Sequence, residues 1–153
     1  MIRPGAGFTL VELLLAMVIL GLMSALAVPS YTAYVDRSNQ AQSISDIYQI
    51  EMAINRFEAN TFQYPDTLDD IPGLPTTDPW GNEYSYLRIE GNPTPGIRGR
   101  QRKDKNLNPL NSDFDLYSAG KDGESQLPLT ARRALDDIVR AGNGGFVGLA
   151  MDH

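Results

Sequence analysis

The 153-residue sequence contains no cysteine, a single tryptophan and a single histidine, and that histidine, His153, is the last residue. Without thiols there are no disulfides, thiolate metal sites or cysteine nucleophile, although the compartment stays open because cysteine-free chains occur on both sides of a membrane. One histidine at the end of the chain supplies neither a Ser-His-Asp relay nor the imidazole pair of a zinc hydrolase. G-x-S-x-G, H-E-x-x-H and phosphate-cradling glycine loops are also missing from the sequence, so no enzyme is expected. Charge is scarce in one place. The first 35 residues hold only Arg3 and Glu12, so the other 12 basic and 18 acidic side chains, and the whole net charge of -6, belong to the remainder. An acidic remainder argues against general nucleic-acid binding and is a surface on which calcium could be held.

What the first 35 residues have instead is a hydrophobic run. Phe8 to Val28, FTLVELLLAMVILGLMSALAV, would rise about 31 Å as a helix, the thickness of a bilayer core. A secretory signal peptide would be shorter and would end in an Ala-x-Ala-like cut. Here the short polar leader MIRPGAG precedes the run and ends in Gly7, so a cut at that point retains the helix. A plain anchor leaves Glu12 unexplained, because an acidic side chain in hydrocarbon costs about 2.5–3.5 kcal/mol and normally has a partner.

GFTLVELL at positions 7–14 resembles the class III leader junction of type IV pilins and type II secretion pseudopilins. The resemblance implies that a prepilin peptidase cuts between Gly7 and Phe8 and methylates the new Phe8 amine. It also implies that Glu12 recognises the N-terminus of a neighbouring subunit in a helical filament. A carboxylate in an apolar bundle is tolerable opposite an ammonium group, which agrees with that role. The division expected is a leader at 1–7, a transmembrane or filament-core helix at 8–35 and a globular head at 36–153. Arg3 before the helix, with Asp36 and Arg37 after it, gives a slight positive-inside bias that places the head in the periplasm and the helix in the inner membrane.

Pro29 does not end the helical pattern. Ile44, Ile47, Ile50, Ile54 and Phe57 recur at three- and four-residue spacing, which predicts an amphipathic continuation to about Asn60. The resemblance implies local unwinding between Gly21 and Pro29 on assembly. Pro65, Pro72, Pro75 and Pro79 then forbid any long regular element. Glu83–Arg88 and Asp113–Ser118 alternate as strands, and the tail GNGGFVGLAMDH suits a last strand or a packing segment. The fold expected is α+β and pilin-like: a long N-terminal helix, its first half transmembrane, packed on a small antiparallel sheet with irregular C-terminal loops.

DPWGNEYSYL at 78–87 and FDLYSAGKDG at 114–123 are similar to segments of the major pseudopilins of type II secretion systems. Structurally, Asp-Pro sets a turn and Trp80 plugs the sheet–helix junction. The resemblance implies a calcium site formed by the carbonyl of Ala119 with Asp122, Asp136 and Asp137. Read without it, GKDG is a plain turn, LDDIVRA is a helix turn with a solvated acidic pair, and Asp113 and Asp115 lie on the exposed face of a strand. The connection 88–111 concentrates Arg98, Arg100, Arg102, Lys103 and Lys105. With no interleaved aromatics it reads as a mobile, solvated loop rather than a nucleic-acid grip.

The function expected is a structural pseudopilus subunit driving export of folded proteins, working with other pseudopilins and the inner-membrane assembly platform. The alternative is a minor type IV or competence pilin that binds DNA or another ligand at a filament surface.

Overall fold

The structure is a computed structural model that describes residues 7–153, and the rest of the expected leader lies outside the described residues. Helix α1 covers Leu10–Thr61, and the chain divides between Arg37 and Ser38 into two compact units.

In the first unit every residue from Phe8 to Tyr34 is exposed, and an 18-residue window reaches a mean hydropathy of 2.5. So much unpartnered apolar surface is unsupportable in water and fits a single-pass anchor. Pro29 lies inside the helix without breaking it, although it lacks the N–H that would pair with the carbonyl of Ala25. The nearby hydroxyls stay within the helix: Ser24 donates to the Leu20 carbonyl at 2.8 Å and Ser30 to that of Leu26 at 3.0 Å. Such back-bonding satisfies polar groups that hydrocarbon cannot.

In the second unit, α1 lies on a four-stranded antiparallel meander with the order β1 (Ser85–Arg88), β2 (Phe114–Ser118), β3 (Ile138–Ala141) and β4 (Phe146–Leu149). Ile47, Ile50 and Ile54 are fully buried against Phe114, Leu116, Ile138 and Tyr84, with Ile44 at the margin. Successive strand residues point to opposite faces, so Phe114, Leu116, Ile138 and Arg140 meet the helix while Asp115, Tyr117, Val139 and Ala141 look away from it.

The two strands expected from alternation are present, each starting slightly later than predicted. β3 and β4 complete the sheet, and LDDIVRA is therefore not a helix turn: Arg132–Ala134 forms one 3-10 turn and the chain then enters β3.

The second face of the sheet is also covered. Leu110, Leu129, Val139, Ala141 and Ala150 form a second buried cluster there, flanked by Tyr117 and Phe146. The segment after β1 folds back to build it. Lys103 N–H donates to the Leu127 carbonyl and Leu129 N–H to that of Lys103, both at 2.9 Å, and Gly142 N–H donates to the Leu110 carbonyl at 3.0 Å. This layer overturns two expectations. Asp115 is not solvated: it is 1% exposed and accepts hydrogen bonds from Arg102 N–H at 2.7 Å and the Asn111 amide at 2.9 Å, while Asp113 is buried against Arg140 on the helix side. Burial raises the Asp115 pKa above the ordinary carboxylate value despite these donors. The basic connection is likewise not a solvated loop throughout: Arg98, Arg100 and Lys105 are exposed, whereas Gln101 and Arg102 are buried.

One ion cluster ties helix to sheet. Arg140 of β3, 2% exposed, donates through Nε to Glu51 Oε1 of α1 at 2.7 Å. Its Nη1 and Nη2 fork onto the Asp113 carboxylate at 2.9 and 2.7 Å, and the guanidinium carbon sits 4.0 Å from the centroid of the Phe114 ring. Burial opposes the charge on Arg140, but the hydrogen bonds it donates to Asp113 and Glu51 outweigh it and raise its pKa. The turn joining β3 to β4 comes close to this cluster: a Cβ at Gly144, which has φ +92°, would stand 2.1 Å from Glu51 Oε1. Only glycine fits there.

Candidate functional site

At the start of α1 the sequence T-L-V-E forms a capping box. Thr9 is the N-cap: its backbone N–H and hydroxyl both donate to Glu12 Oε2, at 2.8 and 2.9 Å, while Glu12 N–H reaches back to Thr9 Oγ1 at 3.2 Å. Glu12 therefore has a partner within its own chain, which the sequence argument had sought only in a neighbour. The signal was present as a Thr three residues ahead of a Glu. Chemically, the box satisfies helix donors that have no ladder partner and sets the carboxylate beside the positive end of the helix dipole. Gly7 and Phe8, the residues of the expected cut, precede the helix outside any regular element and are exposed, Phe8 to 84%. That is the form of chain a peptidase can enter.

The two head motifs are bonded to each other. Asp78 Oδ1 accepts from the N–H groups of Trp80 and Asn82 at 3.0 and 2.8 Å, closing the DPWGN turn. Its Oδ2 accepts from Ser118 Oγ at 2.5 Å, and Asn82 Nδ2 donates to the Gly120 carbonyl at 2.8 Å. The turn before β1 is thereby pinned to the S-A-G turn after β2, and Trp80 packs at the edge of the helix-side core as expected of a plug. Asp78→Ala leaves three donors without their acceptor and should destabilise the head by roughly 2–3 kcal/mol, whereas Asp78→Asn keeps part of the set and should cost less. Urea unfolding of the two variants checks the order.

The residues implied for calcium are only partly brought together. Asp136 Oδ2 accepts from the N–H groups of Lys121 and Asp122 at 2.9 and 3.1 Å, so Asp136 and Asp122 are neighbours through backbone. Gly120 and Asp136 are in tight contact, because a Cβ at Gly120 would lie 2.4 Å from the Asp136 carbonyl oxygen. Asp122 Oδ1 caps the N–H of Glu124 at 2.8 Å. Asp137 is fully buried and engaged elsewhere: Arg102 Nη2 and Ser125 Oγ each donate to its Oδ2 at 2.6 Å. Burial raises the Asp137 pKa, against the lowering effects of Ser125 and Arg102. Calcium needs six to eight oxygens converging at about 2.4 Å. Among the described residues no group of three or more His, Cys, Asp or Glu side chains is placed to hold a metal, and the four implied ligands as arranged do not fit the ion. One oxygen of the set, Asp137 Oδ1, is buried without a hydrogen-bond partner.

An exposed apolar helix with a capped acidic residue in its first turn, leading into a helix-on-meander head, defines a prepilin-type, pilin-like protein. The prokaryotic N-terminal methylation motif matches residues 3–28. Similar over most of its length is the type II secretion system core protein G of Pseudomonas aeruginosa, 32% identical over 143 residues that cover 80% of this chain and 87% of that one. The same protein of Aeromonas hydrophila is 29% identical over 144 residues, covering 80% and 87%, and that of Escherichia coli K12 is 29% identical over 139 residues, covering 77% and 83%. No solved structure matches significantly. The chain belongs to the type II secretion system core protein G family.

Proposed function

We propose that this chain is the repeating structural subunit of a periplasmic pseudopilus, and that it carries out no catalysis. A prepilin peptidase removes residues 1–7 at the inner membrane and methylates Phe8, and the freed helix then packs with its copies into a helical filament whose growth moves folded cargo outward. Other pseudopilins and the inner-membrane assembly platform are the expected partners. The observation that supports this reading is the coincidence of the methylation motif with an apolar helix that is exposed from Phe8 to Tyr34. Such a surface has two chemically equivalent covers, lipid before assembly and other copies of the same helix after it. The basic connection gives little support to a DNA-binding pilin, because Arg102 is buried and ion-paired.

Intact-mass analysis of the chain from the membrane tests the first step. The mature form should begin at Phe8 and be one methyl group heavier than that start. Gly7→Val puts a branched side chain at the cut and should leave the full-length, unmethylated precursor in the membrane with secretion lost. Recovery of Met1 on the parent chain, or a cut beyond Val28 that discards the helix, would sink the reading.

A further inference from the structure

Asp137 stands where the family resemblance implies a metal ligand, yet a cation of the chain itself already faces it. Arg102 is 2% exposed and comes from the connection between β1 and β2. Its Nη2 donates to Asp137 Oδ2 at 2.6 Å and its Nη1 to Ser125 Oγ. Ser125, from the loop after β2, donates in turn to the same Asp137 oxygen. The guanidinium carbon lies 4.4 Å from the centroid of the Tyr117 ring, on the face of the sheet away from the helix. Backbone geometry sets this position: Arg102 N–H is held by Asp115 Oδ2, and Lys103 on its far side is bonded in both directions to Leu127 and Leu129. Three segments that are remote in sequence therefore meet on one carboxylate.

We propose that Arg102 takes the structural place of a bound cation, so that this head closes its loop 119–137 onto the sheet without calcium. A planar guanidinium forked between a carboxylate and a hydroxyl, and stacked on an aromatic ring, supplies the positive charge, the directed hydrogen bonds and the apolar contact together. A dication brought to Asp137 would meet that guanidinium at close range in a buried site, where like charges repel strongly. Asp122 and Asp136 do not offer an alternative cage, since each has a carboxylate oxygen bonded to backbone amides of its own loop. The unpartnered Asp137 Oδ1 is a single oxygen, far short of a calcium shell.

The test is the thermal unfolding midpoint of the full chain in detergent, measured in chelator and in millimolar calcium. The proposal expects the same midpoint in both. A true site filled to a hundred times its dissociation constant would raise it by roughly 5–10 °C. Arg102→Gln, which strands the Asp137 carboxylate, should lower the midpoint by roughly 10 °C in chelator. A calcium-dependent rise in the parent chain, or an Arg102→Gln midpoint equal to the parent's, overturns the proposal. The parent's response to calcium decides the matter even if Arg102→Gln fails to accumulate.

Discussion

A chain carrying Glu12→Ala should be cut and methylated at Phe8 as usual yet be nearly absent from filaments. The substitution removes the one carboxylate of the apolar run, at a depth where an ammonium group of a neighbouring N-terminus could meet it. Loss of a buried ion pair of about 3 kcal/mol corresponds to roughly a hundredfold fall in incorporation, read as the ratio of chain in sheared filaments to chain in membrane. The structure adds a complication, because Glu12 also completes the capping box with Thr9. Thr9→Val separates the two roles. It removes the side-chain half of the cap, at about 1 kcal/mol, and leaves the charge in place. Incorporation of Thr9→Val should therefore fall far less than that of Glu12→Ala. Equal loss in the two variants would assign Glu12 to capping alone and remove the pairing argument.

Arg140→Ala should be the most damaging single change in the head. Among the described residues Arg140 is the only cation bonded to Glu51 and Asp113 in the cluster between α1 and the sheet, and both carboxylates are almost fully buried. Removing the guanidinium leaves two like charges without a counter-ion and withdraws the contact over Phe114, at about 3–5 kcal/mol, which lowers the unfolding midpoint by roughly 10 °C. The loss comes from stranded charges more than from a missing attraction. Neutralising the partners as well, in Arg140→Met with Glu51→Gln and Asp113→Asn, should therefore recover much of the stability. A triple variant less stable than Arg140→Ala would show that packing, not charge, holds this junction.

Residues with a strong local period were legible in the sequence. The spacing of Ile44, Ile47, Ile50 and Ile54 described a helix face, and Tyr84 with Tyr86 and Phe114 with Leu116 described strands, because each pattern repeats within one element. β3 was not legible. Its sequence IVRA contains an arginine, and a buried arginine is intelligible only once Glu51, 89 residues away, lies opposite it. The burial of Asp115 and Arg102 escaped for the same reason. Alternation told which face of β2 Asp115 occupies but not that a second layer covers that face, since that layer comes from connections with no period of their own.

The N-terminal 35 residues are thus the part that the sequence by itself determined. Hydrophobic length and the methylation motif at residues 3–28 are local properties that need no tertiary partner to be meaningful. The fate of the charged residues in the head was decided only by the tertiary structure. A charge is solvated, paired or buried according to what folds over it, and for Arg102, Asp115, Asp137 and Arg140 those covering groups come from distant parts of the chain. Asp137 is the clearest instance: it is fully buried and paired with Arg102, which reaches it from the connection between β1 and β2.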